Sequence, residues 1–227
     1  DVYQFFNEHP LRKVQTEVVL PVNGRVLAYD AFANRLSDAN AERVGTRAKV
    51  SLSLEAYEST VLIVGTGIEN AAVAETRIDG ADDRLTACPV NGPWCVSTAD
   101  SLQFPNFTIL SAEADLANFG HPDRLPRFSG TFRYETTFEW QQMGAGSILD
   151  LGQAYETAEV WINGERAGVR ICPPYRFDIG RLLRSGRNDV RIEVTNTLMN
   201  EVRDHFSRAV HQEPSGLLGP VRILGKG

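Results

Sequence analysis

Between Phe128 and Asn200 the chain alternates apolar and polar residues with a period of two, and this pattern restricts the segment to antiparallel sheet. Phe132, Tyr134, Thr136 and Phe138 fall on one face of an extended run, with Arg133, Glu135, Thr137 and Glu139 on the other. A second run, A-E-V-W-I-N-G, ends in Asn163-Gly164, a pair that tolerates positive φ and suits a tight hairpin turn. In a third, Val190, Ile192 and Val194 alternate with Arg191, Glu193 and Thr195. Three half-buried strands joined by short polar turns predict an all-β fold. Nineteen Gly and eleven Pro against two Met also favour strands and turns over long helices.

The 227 residues allow one large or two ordinary domains, and 42% hydrophobic content is ample for a core. The balance of 23 basic against 29 acidic residues, a net −6, argues against a nucleic-acid groove or an anionic membrane surface as the main partner. A neutral ligand fits that charge. The longest apolar run, Thr60 to Val64, is strand-sized and far short of the roughly 20 residues that span a bilayer. Asp1 is expected to lie inside a longer or processed polypeptide.

Three cysteines are an odd number, which suits neither a disulfide framework nor a four-ligand zinc site. Cys88 and Cys95 flank the turn P-V-N-G-P-W, and a bridge between them is left open. Cys172, before Pro173-Pro174, is expected to be a small buried residue.

In chain order, residues 1 to about 12 read as a packed aromatic opening segment. Val14 to Leu20, Arg25 to Phe32, Ala48 to Tyr57 and Val61 to Val64 follow as four short strands, with a helical turn expected within Ser37 to Arg47. Four or five strands are fewer than the roughly seven of a closed sandwich, so this domain is expected to be incomplete. Glu69 to Arg84 reads as a linker, with the domain boundary near residue 80. From Leu85 to Leu125 the prolines predict loops and edge strands, and Leu198 to Val210 a polar excursion before a last strand at Val221 to Leu224.

The order F-x-G … Y … F, D-L-G … A-x-V-W-I-N-G, P-Y-x-F-D-I … G-x-N-x-x-x-I-x-V-x-N-T-L and a closing G-L-L-G-P-V-R-I resembles the galactose-binding-like jelly-roll domain of bacterial glycoside hydrolases. Family 2 enzymes, where it is called the sugar-binding domain, and the family 106 α-L-rhamnosidase-like enzymes are the nearest types. The match runs from about Trp94 to Leu224. The text A-Y-D-A-F-A-N-R-L … V-S-L-S-L-E-A-Y-E-S-T-V-L-I-V resembles the small β-domain that follows the catalytic barrel in many glycosidases. Together these imply a small β-domain over residues 1–80 and an antiparallel β-sandwich jelly roll over 81–227. They also imply carbohydrate and an upstream catalytic domain of the same polypeptide as partners, and no cofactor.

Glycoside hydrolysis uses two carboxyl groups across the scissile bond. No acidic residue here sits in a recognisable catalytic motif, and Asp150, Asp178, Glu159 and Glu193 read as structural, the two glutamates on solvent faces. His9, His121, His205 and His211 lack zinc-site spacing. A calcium site is compatible with a jelly roll, but Asp79, Asp82 and Asp83 do not follow the calcium-loop spacing and no ligand is assigned. A sugar site instead needs aromatic faces and planar polar groups. Trp94, Trp161, Arg170, Tyr175, Arg176, Arg203 and His205 supply those types; Trp161 is expected to face outward, and packing or domain docking is the competing role for Trp161 and Tyr175. Three functions are weighed: a non-catalytic accessory region of a glycoside hydrolase, an independent carbohydrate-binding module, and a domain lending a loop to its parent's active site.

Overall fold

The computed structural model describes residues 1–31, 34–65, 67–68, 85–141, 146–202 and 213–226. The chain divides into two compact units, Asp1–Asp82 and Asp83–Gly227.

The first unit holds β1 (Val2–Phe6), β2 (Val14–Leu20), β3 (Val26–Asp30), β4 (Arg35–Asp38), β5 (Glu42–Val44), β6 (Arg47–Leu54) and β7 (Ser59–Val64). They form two antiparallel sheets, ordered β1-β7-β3-β4 and β2-β6-β5. Val26, Ala28, Leu62 and Val64 from one sheet meet Leu20, Ala48, Val50 and Leu52 from the other in a single core. These are the alternate residues of each strand, as half-buried pleats require. Two expectations are corrected here. The opening segment contributes a strand, and β4 and β5 occupy the span expected to turn helically, so the described residues of this unit hold seven strands. β4 and β5 are only four and three residues long, too short to establish a period against their charged neighbours.

The second unit comprises β8 (Leu85–Pro89), β9 (Trp94–Asp100), β10 (Thr108–Ala114), β11 (Gly130–Trp140), β12 (Ile148–Asp150), β13 (Gln153–Tyr155), β14 (Thr157–Ile162), β15 (Glu165–Arg170), β16 (Arg176–Asp178), β17 (Gly186–Thr195), β18 (Gly216–Gly219) and β19 (Arg222–Lys226). A six-stranded sheet, β10-β9-β11-β17-β14-β15, and a four-stranded sheet, β16-β12-β19-β8, enclose one core, with β13 and β18 paired apart. Phe132, Tyr134, Val160, Ile192 and Val194 from the larger sheet pack with Leu149, Phe177 and Ile223 from the smaller. Burial of each such side chain stabilises the fold by about 1.5–3 kcal/mol, which outweighs any single surface ion pair. The fold is an all-β antiparallel sandwich.

The three alternating runs do not neighbour one another in chain order. β17 lies between β11 and β14, pairing Tyr134 with Ile192 on one side and Val160 with Ile192 on the other. The intervening β12 and β13 belong to other sheets, so the chain crosses the core between β11 and β14. Asn163 and Gly164 adopt φ of 53° and 82° and close the β14–β15 hairpin, as their types predict. Loops and edge strands do not account for the whole Leu85–Leu125 region. β9 is a central strand, paired on both sides; its flanking prolines, Pro93 and Pro105, fall outside it, and Pro89 closes the edge strand β8.

Candidate functional site

The outward side of the six-stranded sheet is built by the residues that alternate with the core. β11 presents Thr131, Arg133, Glu135 and Thr137, and β17 sets Thr195, Glu193, Arg191 and Asp189 directly opposite them. β14 adds Thr157, Glu159 and Trp161 against Thr195, Glu193 and Arg191. Register alone therefore makes rows of polar neighbours across three strands.

At one end of this face the facing polar groups of β11 and β17 are paired. The Thr131 and Thr195 hydroxyls share a hydrogen bond of 2.9 Å. Arg133 donates through Nε to Glu193 at 2.9 Å, and its Nη2 lies 2.9 Å from the same carboxylate oxygen. The Arg133 guanidinium also lies 3.6 Å from the ring centre of Phe107, on the connection between β9 and β10. Glu193, expected on a solvent face, is on the outward side but only 7% exposed. Arg133 and Arg191 flank and cover it, the latter at 3.7 Å. Glu159, its like-charged neighbour across the ladder, is drawn away by a hydrogen bond from Arg166.

The other end is open. Glu135 stands opposite Arg191 in register, yet the two form no ion pair, because the Arg191 guanidinium stacks on the indole of Trp161, 4.0 Å from the ring centre. A shallow depression of about 410 Å³ lies here, lined by Glu135, Thr137, Trp161, Gly164, Asp189 and Arg191. Trp161 and Glu135 lie on strands two spacings apart, so the floor is about 10 Å wide. A second depression, of about 290 Å³, lies where β14 starts and β17 ends, between Glu156, Asn196, Thr197, Met199, Asn200 and Glu213.

Among the described residues the sequence candidates do not converge on either. Trp161 lines the open depression, but Trp94 is 2% exposed and packs edge-on against Tyr134, ring centres 6.5 Å apart, so it offers no face to a ligand. Tyr175 is 4% exposed; its hydroxyl donates to the backbone oxygen of Glu156, and burial pushes its pKa well above the usual tyrosine range. Proline-stiffened placement therefore serves the interior, where an aromatic ring gains more than at the surface. Arg176 lies on the outward side of the opposite sheet, beside Asp150, whose carboxylate also accepts from Arg222 at 2.9 Å. Arg170 bonds the Val169 carbonyl and lies 5.3 Å from the ring centre of Phe177 at the sandwich edge. Arg203 and His205, like the acidic trio Asp79, Asp82 and Asp83, lie outside the described residues. Among the described residues no group of three His, Cys, Asp or Glu side chains is placed to hold a metal ion.

Cys88 and Cys95, on strands of different sheets, are both free thiols. Cys172 is half-buried, and burial raises its pKa, with Arg170 opposing. Asp178 caps a turn through the Gly180 N–H at 3.2 Å, as its position suggests.

The asparagines within the sequence motifs went unremarked as functional groups, and their amides are used internally. Asn196 accepts from the Gly130 N–H at 2.8 Å and donates to the Phe128 carbonyl and the Ser215 hydroxyl at 2.8 and 2.7 Å, tying the start of β11 to the segment before β18. Asn163 donates to Leu182 and Asn188, and Asn188 in turn donates to the Arg184 and Gly186 carbonyls. These are turn-locking networks in which a buried amide satisfies backbone groups that would otherwise lose their partners.

No family profile matches the chain. Its fold is that of a segment of the rhamnosidase from Novosphingobium sp. PP1Y, with a TM-score of 0.74 over 98% of this chain and 22% of that one, at 23% identity. Two putative beta-glucuronidases of Formosa agariphila match by sequence. One is 29% identical over 100 residues, covering 42% of this chain and 9% of the relative; the other is 34% identical over 79 residues, 33% and 7%. The chain thus spans a small part of each of these proteins. The motifs and the comparisons agree that the chain is similar to parts of glycoside hydrolases, in fold to a segment of a rhamnosidase and in sequence to segments of two putative beta-glucuronidases.

Proposed function

We propose that this chain is a non-catalytic accessory region of a glycoside hydrolase, one that supports the catalytic part of the same polypeptide and presents a surface to carbohydrate. The observation that carries this reading is the match of nearly the whole fold to a segment amounting to 22% of a rhamnosidase. The internal use of the motif side chains supports it as well. Asn163, Asn188 and Asn196 lock turns, and Tyr175 and Trp94 fill the core, so the recurring residues specify a rigid sandwich. The buried carboxylates Asp150 and Glu193 are both engaged by arginines within the fold.

Two measurements test the reading. Incubated with a panel of nitrophenyl glycosides, the 227-residue chain is expected to release no nitrophenol; release above a blank overturns the proposal. In the longer polypeptide, removing these residues is expected to lower the melting temperature of the catalytic part. Unchanged stability together with unchanged turnover would rule out a supporting role.

A further inference from the structure

We propose that the open depression beside Trp161 is a binding site for an uncharged pyranose unit of a glycan. The proposal rests on the accessory reading above and assigns it a place. Three features of the depression distinguish it from the rest of the sheet face. Two of its polar groups are unspent: among the described residues the Glu135 carboxylate and the Thr137 hydroxyl make no hydrogen bond, while Arg191, the cross-strand neighbour of Glu135, lies 3.7 Å from Glu193. Its aromatic group is accessible: Trp161 is partly exposed, whereas Trp94 and Trp140 are buried in the core. Its floor is wide enough for a sugar ring, since Gly164 at the hairpin carries no side chain and the walls stand two strands apart.

The chemistry of the lining selects the occupant. An indole offers an apolar plate for the C–H face of a pyranose, and carboxylate and guanidinium groups are planar partners that engage vicinal hydroxyls in pairs. Two carboxylates, Glu135 and Asp189, stand against one guanidinium, Arg191, so the lining residues sum to −1, and the neighbours of that set, Arg187 at 4.0 Å from Asp189 and Glu193 at 3.7 Å from Arg191, offset one another. A uronate or a sulfated sugar would meet that charge with its own, and a neutral hydroxylated ring would not. Arg191 is fixed in place by its neighbours on the same face, Glu193 at 3.7 Å and the Trp161 ring at 4.0 Å, and it covers one face of that ring.

The test is a glycan array displaying neutral and uronate-containing oligosaccharides, followed by titration of the best binder while the tryptophan fluorescence is read. Neutral glycans are expected to bind and to quench the Trp161 contribution. Trp161→Ala is expected to weaken binding about tenfold or more, and Glu135→Lys to do so with the indole intact. Both positions are on the surface, and a melting curve for each variant checks that the sandwich is retained. A silent array overturns the sugar site and leaves the supporting role standing, since that role is tested by glycoside release and by the stability of the longer polypeptide. A preference for uronates, or binding that neither substitution weakens, also overturns it. Without glycan binding, a lower melting temperature of the longer polypeptide on Trp161→Ala would reassign the depression to contact within that polypeptide.

Discussion

The two ends of the outward face of the six-stranded sheet are built from the same strands and the same residue types, yet they end in opposite states. At the Arg133–Glu193 end a carboxylate is nearly buried, held by one arginine at 2.9 Å and approached by a second at 3.7 Å. One register step of two residues along, Glu135 and Arg191 are opposite each other and do not pair with one another. The difference is the third strand. Beside Glu193 stands Glu159, which cannot compete for Arg133; beside Arg191 stands Trp161, whose ring takes the guanidinium. Cross-strand pairing is thus decided by three neighbours and not by two. A sheet face can leave ionic groups available for a ligand simply by placing an aromatic residue next to the cation.

The largest expected effect comes from breaking the closed end. Glu193→Ala removes the carboxylate between Arg133 and Arg191 and leaves two partly covered cations side by side. It is expected to destabilise the unit by about 2–3 kcal/mol in denaturant unfolding. A loss within about 0.5 kcal/mol would mean that the closed end is as solvated as the open one.

The inward side of the same strand gives the next effect. Between Arg133 and Glu135, Tyr134 points into the core, and its hydroxyl accepts a hydrogen bond of 2.9 Å from the Leu217 N–H. Gly216 makes room for it; at φ 93° a Cβ there would collide with the phenol oxygen. Burial raises the Tyr134 pKa above its ordinary value of about 10. Above that pH the unfolded chain has released a proton that the folded chain keeps, so stability fully present below about pH 10 is lost as the pH rises. The slope contributed by this group approaches about 1.4 kcal/mol per pH unit. Ultraviolet difference spectra should show the Tyr134 phenolate appearing only with unfolding; its titration in the folded protein at pH 10 would contradict the burial.

How much of this was readable beforehand follows from the length scale of each signal. The faces of β11, β14 and β17 were legible because six to eleven residues establish a period, and the outward placement of Trp161 followed from its phase. The insertion of β17 between β11 and β14 was not, because strand order is a long-range property that alternation does not encode. β4, β5 and β18 were too short to show a period. Of the candidates that follow prolines, Trp94 opens the central strand β9 and Tyr175 takes the packing role weighed for it, and both rings lie in the core. Arg191 escaped notice because its value lies in a neighbour two strands' worth of sequence away, and only the register brings Trp161 beside it.

The smallest effects sharpen the comparison most. Arg191→Lys keeps the charge and loses the planar stack on Trp161, and is expected to cost about 0.5–1 kcal/mol. Glu135→Ala is expected to cost less than about 0.5 kcal/mol, as befits an exposed carboxylate that bonds nothing among the described residues. A double-mutant cycle then separates the two ends directly. Replacing Arg133 and Glu193 singly and together should reveal a coupling of about 1–2 kcal/mol, and the same cycle on Glu135 and Arg191 a coupling within about 0.3 kcal/mol of zero. A coupling at the second pair as large as at the first would mean that Arg191 leaves the indole for Glu135 in solution. The polar groups would then already be satisfied, and the depression would have little to offer a sugar.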